Sequence, residues 1–409
     1  MQYLHRTLER KFLKMNHVFK VVMVTGARQV GKSTMLKQLA KGSGRTYVTL
    51  DDSENRALAN TDPGLFFQAY RPPLLIDEIQ KAPPLFERMK IICDQSEERG
   101  LFWVTGSQSK KLLKEAGDTL AGRLGILKLY SFSQSEKHNI SELYPLQFSL
   151  SALQERLSAI PQKNIREVYS DIWRGGMPDA QSLDAEELRT YFNSYLETYL
   201  LRDATDDEGI TDTEGFLRLL RACAACAGQL LNYSTLAEVA DISVPTAHAW
   251  VDALCRMGIL YLLEPYYNNA LKRMVKTPKL YFCDTGLCAY LSKWTSADAL
   301  MEGAASGAFF ENHVIMQLVR YYSTSEEAGT LSFYRDTNQK EIDLFIEREH
   351  TLHPFEIKRS ASPAFRDVKK YAVIEKTALK RGYGGIICLS GELRPIDEYN
   401  AVIPCGVMG

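Results

Sequence analysis

The stretch Val21-Val22-Met23-Val24-Thr25-Gly26-Ala27-Arg28-Gln29-Val30-Gly31-Lys32-Ser33-Thr34 decides the fold. Its first five residues are a short, mostly β-branched apolar run, and the pattern predicts a strand there. Residues 32–39 read as a helix, and between the two lies G-x-x-x-x-G-K-[ST]. Strand, glycine loop and helix in that order build a phosphate cradle. The glycines let backbone N–H groups turn toward phosphate oxygens, and the helix start adds partial positive charge. Lys32 is then the cation for β- and γ-phosphates, and the Ser33 hydroxyl is a ligand for Mg²⁺.

Working outward, strands are expected over residues 45–50, 73–76 and 101–105, with helical material between them. Such alternation argues for an α/β fold, a parallel sheet covered by helices. Leu74-Leu75-Ile76-Asp77-Glu78 is an apolar strand that closes in two acids. A buried strand has no packing reason to end in adjacent carboxylates, whereas a nucleotide site does. Asp77 is expected to orient Mg²⁺ or its water, and Glu78 to polarise the attacking water. Val104-Thr105-Gly106-Ser107 ends another strand in hydroxyls. Either Thr105 or Ser107 is expected to sense the γ-phosphate, and the sequence does not choose between them. Arg123, in Leu120-Ala121-Gly122-Arg123, is the candidate for the positive charge that stabilises phosphoryl transfer. Acting across a subunit boundary, it would imply a homo-oligomer.

The order G-A-R-Q-V-G-K-S-T, L-L-I-D-E, V-T-G-S and L-A-G-R, followed by S-F-S, resembles a large family of bacterial and archaeal AAA-type ATPases. The C-terminal region of that family is poorly characterised. The resemblance continues into residues 175–178, G-Q-L-L-N-Y-S (228–234), V-K-T-P-K-L-Y-F-C-D-T-G (275–286) and G-A-F-F-E-N (307–312). It implies a P-loop NTPase core that binds ATP with Mg²⁺ and acts as a hydrolase, while the later motifs point to the family and not to a known task.

Residues 236–240, 241–243 and 244–257 read as helix, turn, helix. Ser243 is placed to cap the second helix and Pro245 sits in its first turn. An apolar strand over 259–263 would begin a wing, and the resemblance also implies a winged helix. A recognition helix normally presents Arg, Lys, Asn or Gln to bases and phosphates. This one offers only His248 and Arg256, opposed by Asp252, so protein docking is expected ahead of sequence-specific DNA reading. Lys272, Arg273, Lys276 and Lys279 form a denser basic strip, better suited to phosphate contact. Cys223-x-x-Cys226 has no partner pair or nearby histidines and reads as two small core residues, not a zinc site.

Further on, Glu311 lies on a predicted helix, Asp343 on a strand, and Glu356 and Lys358 share one face of the next strand. A hairpin joining the strands would bring Asp343 beside Glu356. Carboxylates gathered in this way bind Mg²⁺ and generate a nucleophilic water, with Lys358 stabilising charge at a phosphate. The pattern resembles the PD-(D/E)XK restriction-endonuclease-like fold, with Ile342 where proline is usual. Glu311, Asp343 and Glu356 are therefore candidate ligands of a second metal. Residues 363–381 carry six basic and two acidic side chains, a local charge suited to the DNA backbone.

Length and composition set the frame. A chain of 409 residues exceeds one ordinary domain, and 45% hydrophobic with 24% charged residues excludes disorder, collagen and coiled-coil rods. Lys+Arg 49 against Asp+Glu 50 leaves no global field, so any nucleic-acid surface is a local patch. No run approaches the ~18–20 apolar residues of a membrane helix. The first 20 residues show no export signal, and eight cysteines do not form a disulfide framework. A cytoplasmic protein without a membrane partner is expected. The expected architecture is a P-loop ATPase core (1–143), a helical lid (144–211), a winged helix-turn-helix (212–278) and a nuclease-like α/β domain (279–409). Three functions follow. They are an ATPase that drives or gates a DNA-associated module, a nucleotide-gated protein-binding switch, and an ATP-regulated metal-dependent DNA nuclease.

Overall fold

The computed structural model describes residues 3–106, 110–140, 145–206, 208–267 and 276–409. Ser107, Lys272 and Arg273 lie outside the described residues. The chain forms two compact units, each drawn from more than one stretch of sequence. One comprises Met1–Ser131, Ser194–Thr213 and Val251–Ile259, and the other Phe132–Asn193, Glu214–Trp250 and Leu260–Gly409. Among the described residues no helix is long and apolar enough to cross a membrane.

The first unit is built on five parallel strands, β1 (Val21–Thr25), β2 (Thr46–Thr49), β3 (Leu74–Asp77), β4 (Phe102–Thr105) and β5 (Leu124–Lys128). Their order is β2-β3-β4-β1-β5. Every residue of β1, β3 and β4 is buried, as expected of central parallel strands covered on both faces. The chain leaves β1 for the far edge of the sheet and returns to its other side at β5. A crevice therefore opens outside the carboxyl end of β1, where open α/β sheets bind ligands. Three strands were foreseen beside β1, but β5 was not, because Gly125 and Lys128 interrupt its apolar pattern.

In the second unit, a helix Tyr233–Ala240 is capped by Asn232 and turns through Asp241 in a left-handed conformation. The helix Val244–Arg256 follows in sequence, its residues up to Trp250 counted in the second unit and those from Val251 in the first. Ser243 caps the latter by accepting the Thr246 N–H at 3.2 Å. Strand β6 (Leu260–Leu263) then pairs antiparallel with β7 (Lys279–Phe282).

The remaining chain forms a mixed sheet of β8 (Thr330–Arg335), β9 (Glu341–Arg348), β10 (Thr351–Lys358), β11 (Lys380–Arg381), β12 (Gly384–Cys388), β13 (Arg394–Asp397) and β14 (Asn400–Pro404). The first three form an antiparallel meander, while β12 lies parallel to β10, and β14 parallel to β12. The long helix Ser306–Thr324 precedes the meander, and twelve of its residues are buried. That burial exceeds the single apolar stripe of a surface helix.

Candidate nucleotide site and a buried charge cluster

The glycine loop has the geometry its sequence demands. Gly26 adopts φ +140°, and a Cβ there would sit 2.2 Å from the Leu129 carbonyl oxygen. Gly31 caps the helix Lys32–Ala40 with φ 93°, a conformation cheap only for glycine. Lys32 is 8% exposed, and its ammonium donates to the carbonyls of Gly26 at 3.0 Å and Ala27 at 2.9 Å. Burial holds its pKa below the usual lysine value, and Arg28 adds to the effect, against the opposing pull of Glu78. The lysine thus lies over the loop, its ammonium held by two loop carbonyls.

Asp77 gathers hydroxyls from three elements. Ser33 Oγ donates to its Oδ1 at 2.6 Å, Thr105 Oγ1 donates to the same oxygen, and Tyr47 donates to Oδ2 at 3.0 Å. Ser33 and Asp77 are therefore together, and the pair fits a hydrated Mg²⁺ bound with nucleotide. Glu78 stands on the turn after β3 with φ 62°, a left-handed conformation unusual for a non-glycine residue. Its N–H donates to Thr105 Oγ1 at 2.9 Å, and Gln80 donates to its carboxylate. Thr105 is fully buried and bridges Asp77 and Glu78.

Arg123 lies elsewhere. It immediately precedes β5, whose Leu124 is in register with Val21 at the start of β1, whereas the loop follows Thr25 at the other end. Its Nε donates to Asp94 at 2.6 Å. Within one chain it does not reach the phosphate loop.

Several contacts that hold the loop carried no sequence signal. Arg6, 5% exposed, donates to the carbonyls of Val30 and Tyr130 at 2.7 and 2.6 Å. Arg28 is gripped by Asp203, with Nε 2.7 and 2.8 Å from the two carboxylate oxygens. Asp203 follows a π-turn at Leu196–Leu200, a local irregularity often found at functional sites.

The later motifs prove to be mutual supports within the second unit. Asp284 caps its helix through the N–H groups of Gly286 and Leu287 and also accepts the Gly176 N–H at 2.8 Å. Asn312 bonds both the N–H and the carbonyl of Phe282 at 2.8 Å, fastening β7 to the long helix. On the helix-turn-helix, His248 is stacked on Tyr233 with ring centroids 3.3 Å apart. Arg256 is paired with Glu208 at 2.7 Å. Both candidate readers of DNA thus already have partners within the chain, Arg256 half-buried and His248 still exposed. Cys223 is fully buried.

Glu311, Asp343, Glu356 and Lys358 do come close to one another, but as ion pairs. Lys358 Nζ lies 3.1 Å from Asp343 and 2.7 Å from Glu356, and Lys370 lies 2.8 Å from the same Glu356 oxygen. The two amines on Glu356 make ion-pair contacts off hydrogen-bond alignment, and its Oε1 has no hydrogen-bond partner among the described residues. Lys279 corrects the sequence reading most. Expected on an exposed basic strip, it is 3% exposed and bonds Glu311 at 2.9 Å and Glu341 at 2.6 Å. Tyr281 donates to Glu311 at 2.6 Å, and the Ile357 N–H donates to Asp343 at 2.8 Å. Burial lifts the Glu356 pKa to about 7, aided by the charge of Asp343. For Asp343 burial acts upward, but Lys358 and Lys279 overcome it and hold the carboxyl below its usual value. Among the described residues no group of three His, Cys, Asp or Glu side chains is arranged to hold a metal ion. The donor set does not fit the second metal expected from sequence, because ammonium groups already occupy the space between the acids.

Comparison with known proteins divides the chain in three. Residues 18–138 match a family described as an AAA domain. Residues 165–298 and 306–408 match two domains of unknown function, DUF8612 and DUF4143. Uncharacterized proteins Rv2008c of Mycobacterium tuberculosis and Mb2031c of Mycobacterium bovis are each 27% identical over 364 residues, spanning 88% of this chain and 75% of theirs. Among solved structures, the Walker-type ATPase PABY2304 of Pyrococcus abyssi aligns with a TM-score of 0.44 at 14% identity, covering 71% of this chain and 96% of that one. The Thermotoga maritima RuvB Holliday junction branch migration motor aligns with a TM-score of 0.29 at 15% identity, covering 63% and 89%.

Proposed function

We propose that this chain binds ATP with Mg²⁺ at the loop from Gly26 to Thr34 and hydrolyses it to drive or gate a DNA-associated C-terminal module. The observation that carries the reading is the meeting of Lys32, Ser33, Asp77 and Glu78 at the carboxyl ends of β1 and β3. Loop N–H groups and Lys32 receive the phosphates, and Ser33 and Asp77 hold the metal side. Bound Mg²⁺ supplies charge neutralisation between the phosphates. Glu78 takes the proton of the attacking water, and Thr105, joined to both acids, is the residue through which γ-phosphate occupancy is felt. Arg123 serves a neighbouring chain's site, in a homo-oligomer.

For the C-terminal module, the support is the order helix, antiparallel meander and parallel strand, with Asp343 and Glu356-x-Lys358 on adjacent strands. That order is consistent with a restriction-endonuclease-like arrangement. The helix-turn-helix followed by the β6–β7 ladder is consistent with a winged helix. Arg366, Lys369, Lys376 and Lys380 are exposed, a local cationic strip for the DNA backbone. The modules 1–143, 144–211, 212–278 and 279–409 remain our functional parcelling of the chain.

A protein-binding switch is favoured by one observation. The helix-turn-helix exposes Val239 at 56% and Val244 at 40%, while His248 and Arg256 already have partners in Tyr233 and Glu208. Steady-state ATPase measured with and without DNA separates the readings. In the same assay Glu78→Gln keeps size and hydrogen bonding but loses the base, so ATP binding persists and turnover falls by roughly 10²–10⁴. Turnover equal to wild type would remove Glu78 from the chemistry.

A further inference from the structure

We infer that Lys279 is a built-in cation, standing where a divalent ion would otherwise neutralise Glu311, Glu341 and Asp343, so that the C-terminal module works without a bound metal. The inference rests on the endonuclease-like reading of that module and specifies its chemistry.

The argument is one of charge and position. Glu311, Glu341, Asp343 and Glu356 contribute four carboxylates, and Lys279, Lys358, Lys370 and Arg335 contact them with four cations. The cluster is balanced internally and keeps no surplus negative charge to hold a divalent ion. Lys358 belongs to the Glu-x-Lys pattern, but Lys279 and Lys370 do not. Lys279 arrives from a different part of the chain, on β7, whose four residues are all buried. Its ammonium joins the helix carrying Glu311 to the strand carrying Glu341 and Asp343, and its side chain is 4% exposed. Tyr281, two residues along the same strand, takes up a further lone pair of Glu311. A buried carboxylate must be paired, and buried charges are matched either by a metal or by fixed side chains. Here the fixed side chains are present. Mg²⁺ also demands near-ideal octahedral oxygen coordination, and an incoming ion would meet the ammonium groups of Lys279 and Lys358 at close range.

The test uses the full chain carrying Lys32→Ala, without nucleotide, and MnCl₂ alone as the probe. Melting is followed thermally and bound Mn²⁺ is counted by electron paramagnetic resonance. The parent is expected to bind no Mn²⁺ and to melt at the same temperature with and without millimolar Mn²⁺. Adding Lys279→Met uncovers the acids. Mn²⁺ at a hundredfold excess over Kd should then raise the melting temperature by on the order of 5 °C, and Asp343→Asn should abolish the rise. Stoichiometric Mn²⁺ on the parent, lost in Asp343→Asn, overturns the inference. A folded Lys279→Met chain that remains blind to Mn²⁺ overturns it as well. Should Lys279→Met fail to fold, the count on the parent decides, with Lys279→Arg as the folded control that keeps the charge and is expected to stay Mn²⁺-blind. A failure of the ATPase reading would appear in nucleotide assays and would leave these results unchanged.

Discussion

Replacing Asp77 tests an observed job and a proposed one at once, because its oxygens hold three hydroxyls and the proposed function gives its charge to the metal. Asp77→Asn keeps Oδ1, which accepts from Ser33 and Thr105, and offers an amide to the Tyr47 oxygen. The loss is the difference between charge-assisted and neutral hydrogen bonds, about 1 kcal/mol. Asp77→Ala removes every acceptor. Ser33 and Tyr47 are partly exposed and turn to water, but Thr105 is 0% exposed and its hydroxyl proton is stranded. A buried unsatisfied donor costs about 1–3 kcal/mol, and the loss of charge assistance is common to both variants, so Ala falls about 1–3 kcal/mol below Asn. In a unit of this size each kcal/mol moves the melting temperature by about 2–4 °C, a separation that calorimetry resolves. ATP titrations with Mg²⁺ and with chelator provide the second readout. Under the proposed site both variants should bind ATP in chelator, through Lys32 and the loop N–H groups, and both should lose the gain that Mg²⁺ confers. A full Mg²⁺ gain in Asp77→Asn would refute Asp77 as the metal-side residue, and equal melting of Asn and Ala would refute the hydroxyl hub.

Two further outcomes are expected. His313, 8% exposed, is driven by burial to a pKa of about 3, with Arg320, Lys137 and Lys163 opposing its protonation and Asp171 favouring it. A depressed imidazole contributes stability that is present above the unfolded value of about 6.5 and lost as pH falls through the folded one. Acid should therefore cost on the order of 5 kcal/mol between those limits, and His313→Gln should flatten that limb; an unchanged acid midpoint would mean other groups titrate there. Arg123→Ala and Lys32→Ala chains, each inactive alone under the oligomer reading, should regain turnover when mixed, since one keeps the loop and the other the arginine. An arginine acting in trans is worth on the order of 10³ in rate, so full activity of Arg123→Ala alone would dismiss it.

How far the sequence could be read follows from where each interaction's partners lie along the chain. The phosphate loop was legible because strand, glycines, lysine and serine are contiguous, and the Asp77-Glu78 pair because adjacent acids at the end of an apolar strand have no packing rationale. The residues that brace the loop were not legible. Arg6 reaches Val30 across 24 positions, Tyr47 reaches Asp77 across 30, and Arg28 reaches Asp203 across 175. Arg6 and Tyr47 look like ordinary surface residues until the fold closes, and Arg28, although part of the loop motif, gives no sign of a partner as distant as Asp203. β13 and β14 were missed, though every residue of β14 is buried and pairs parallel to β12. Lys279 shows the cost of reading charge from neighbours in sequence. Lys272, Arg273 and Lys276 suggested a solvated strip, yet Lys-Leu-Tyr-Phe is a strand buried along its whole length. A lysine has no reason to enter such a strand unless buried acids receive it, and of those acids Glu311 had been read as a metal ligand while Glu341 had been given no role. The buried cation that the sequence left unexplained and the carboxylates it left without a cation are one interaction: Lys279 lies 2.9 Å from Glu311 and 2.6 Å from Glu341, acids that stand 30 or more positions away and so could not be matched to it by reading along the chain.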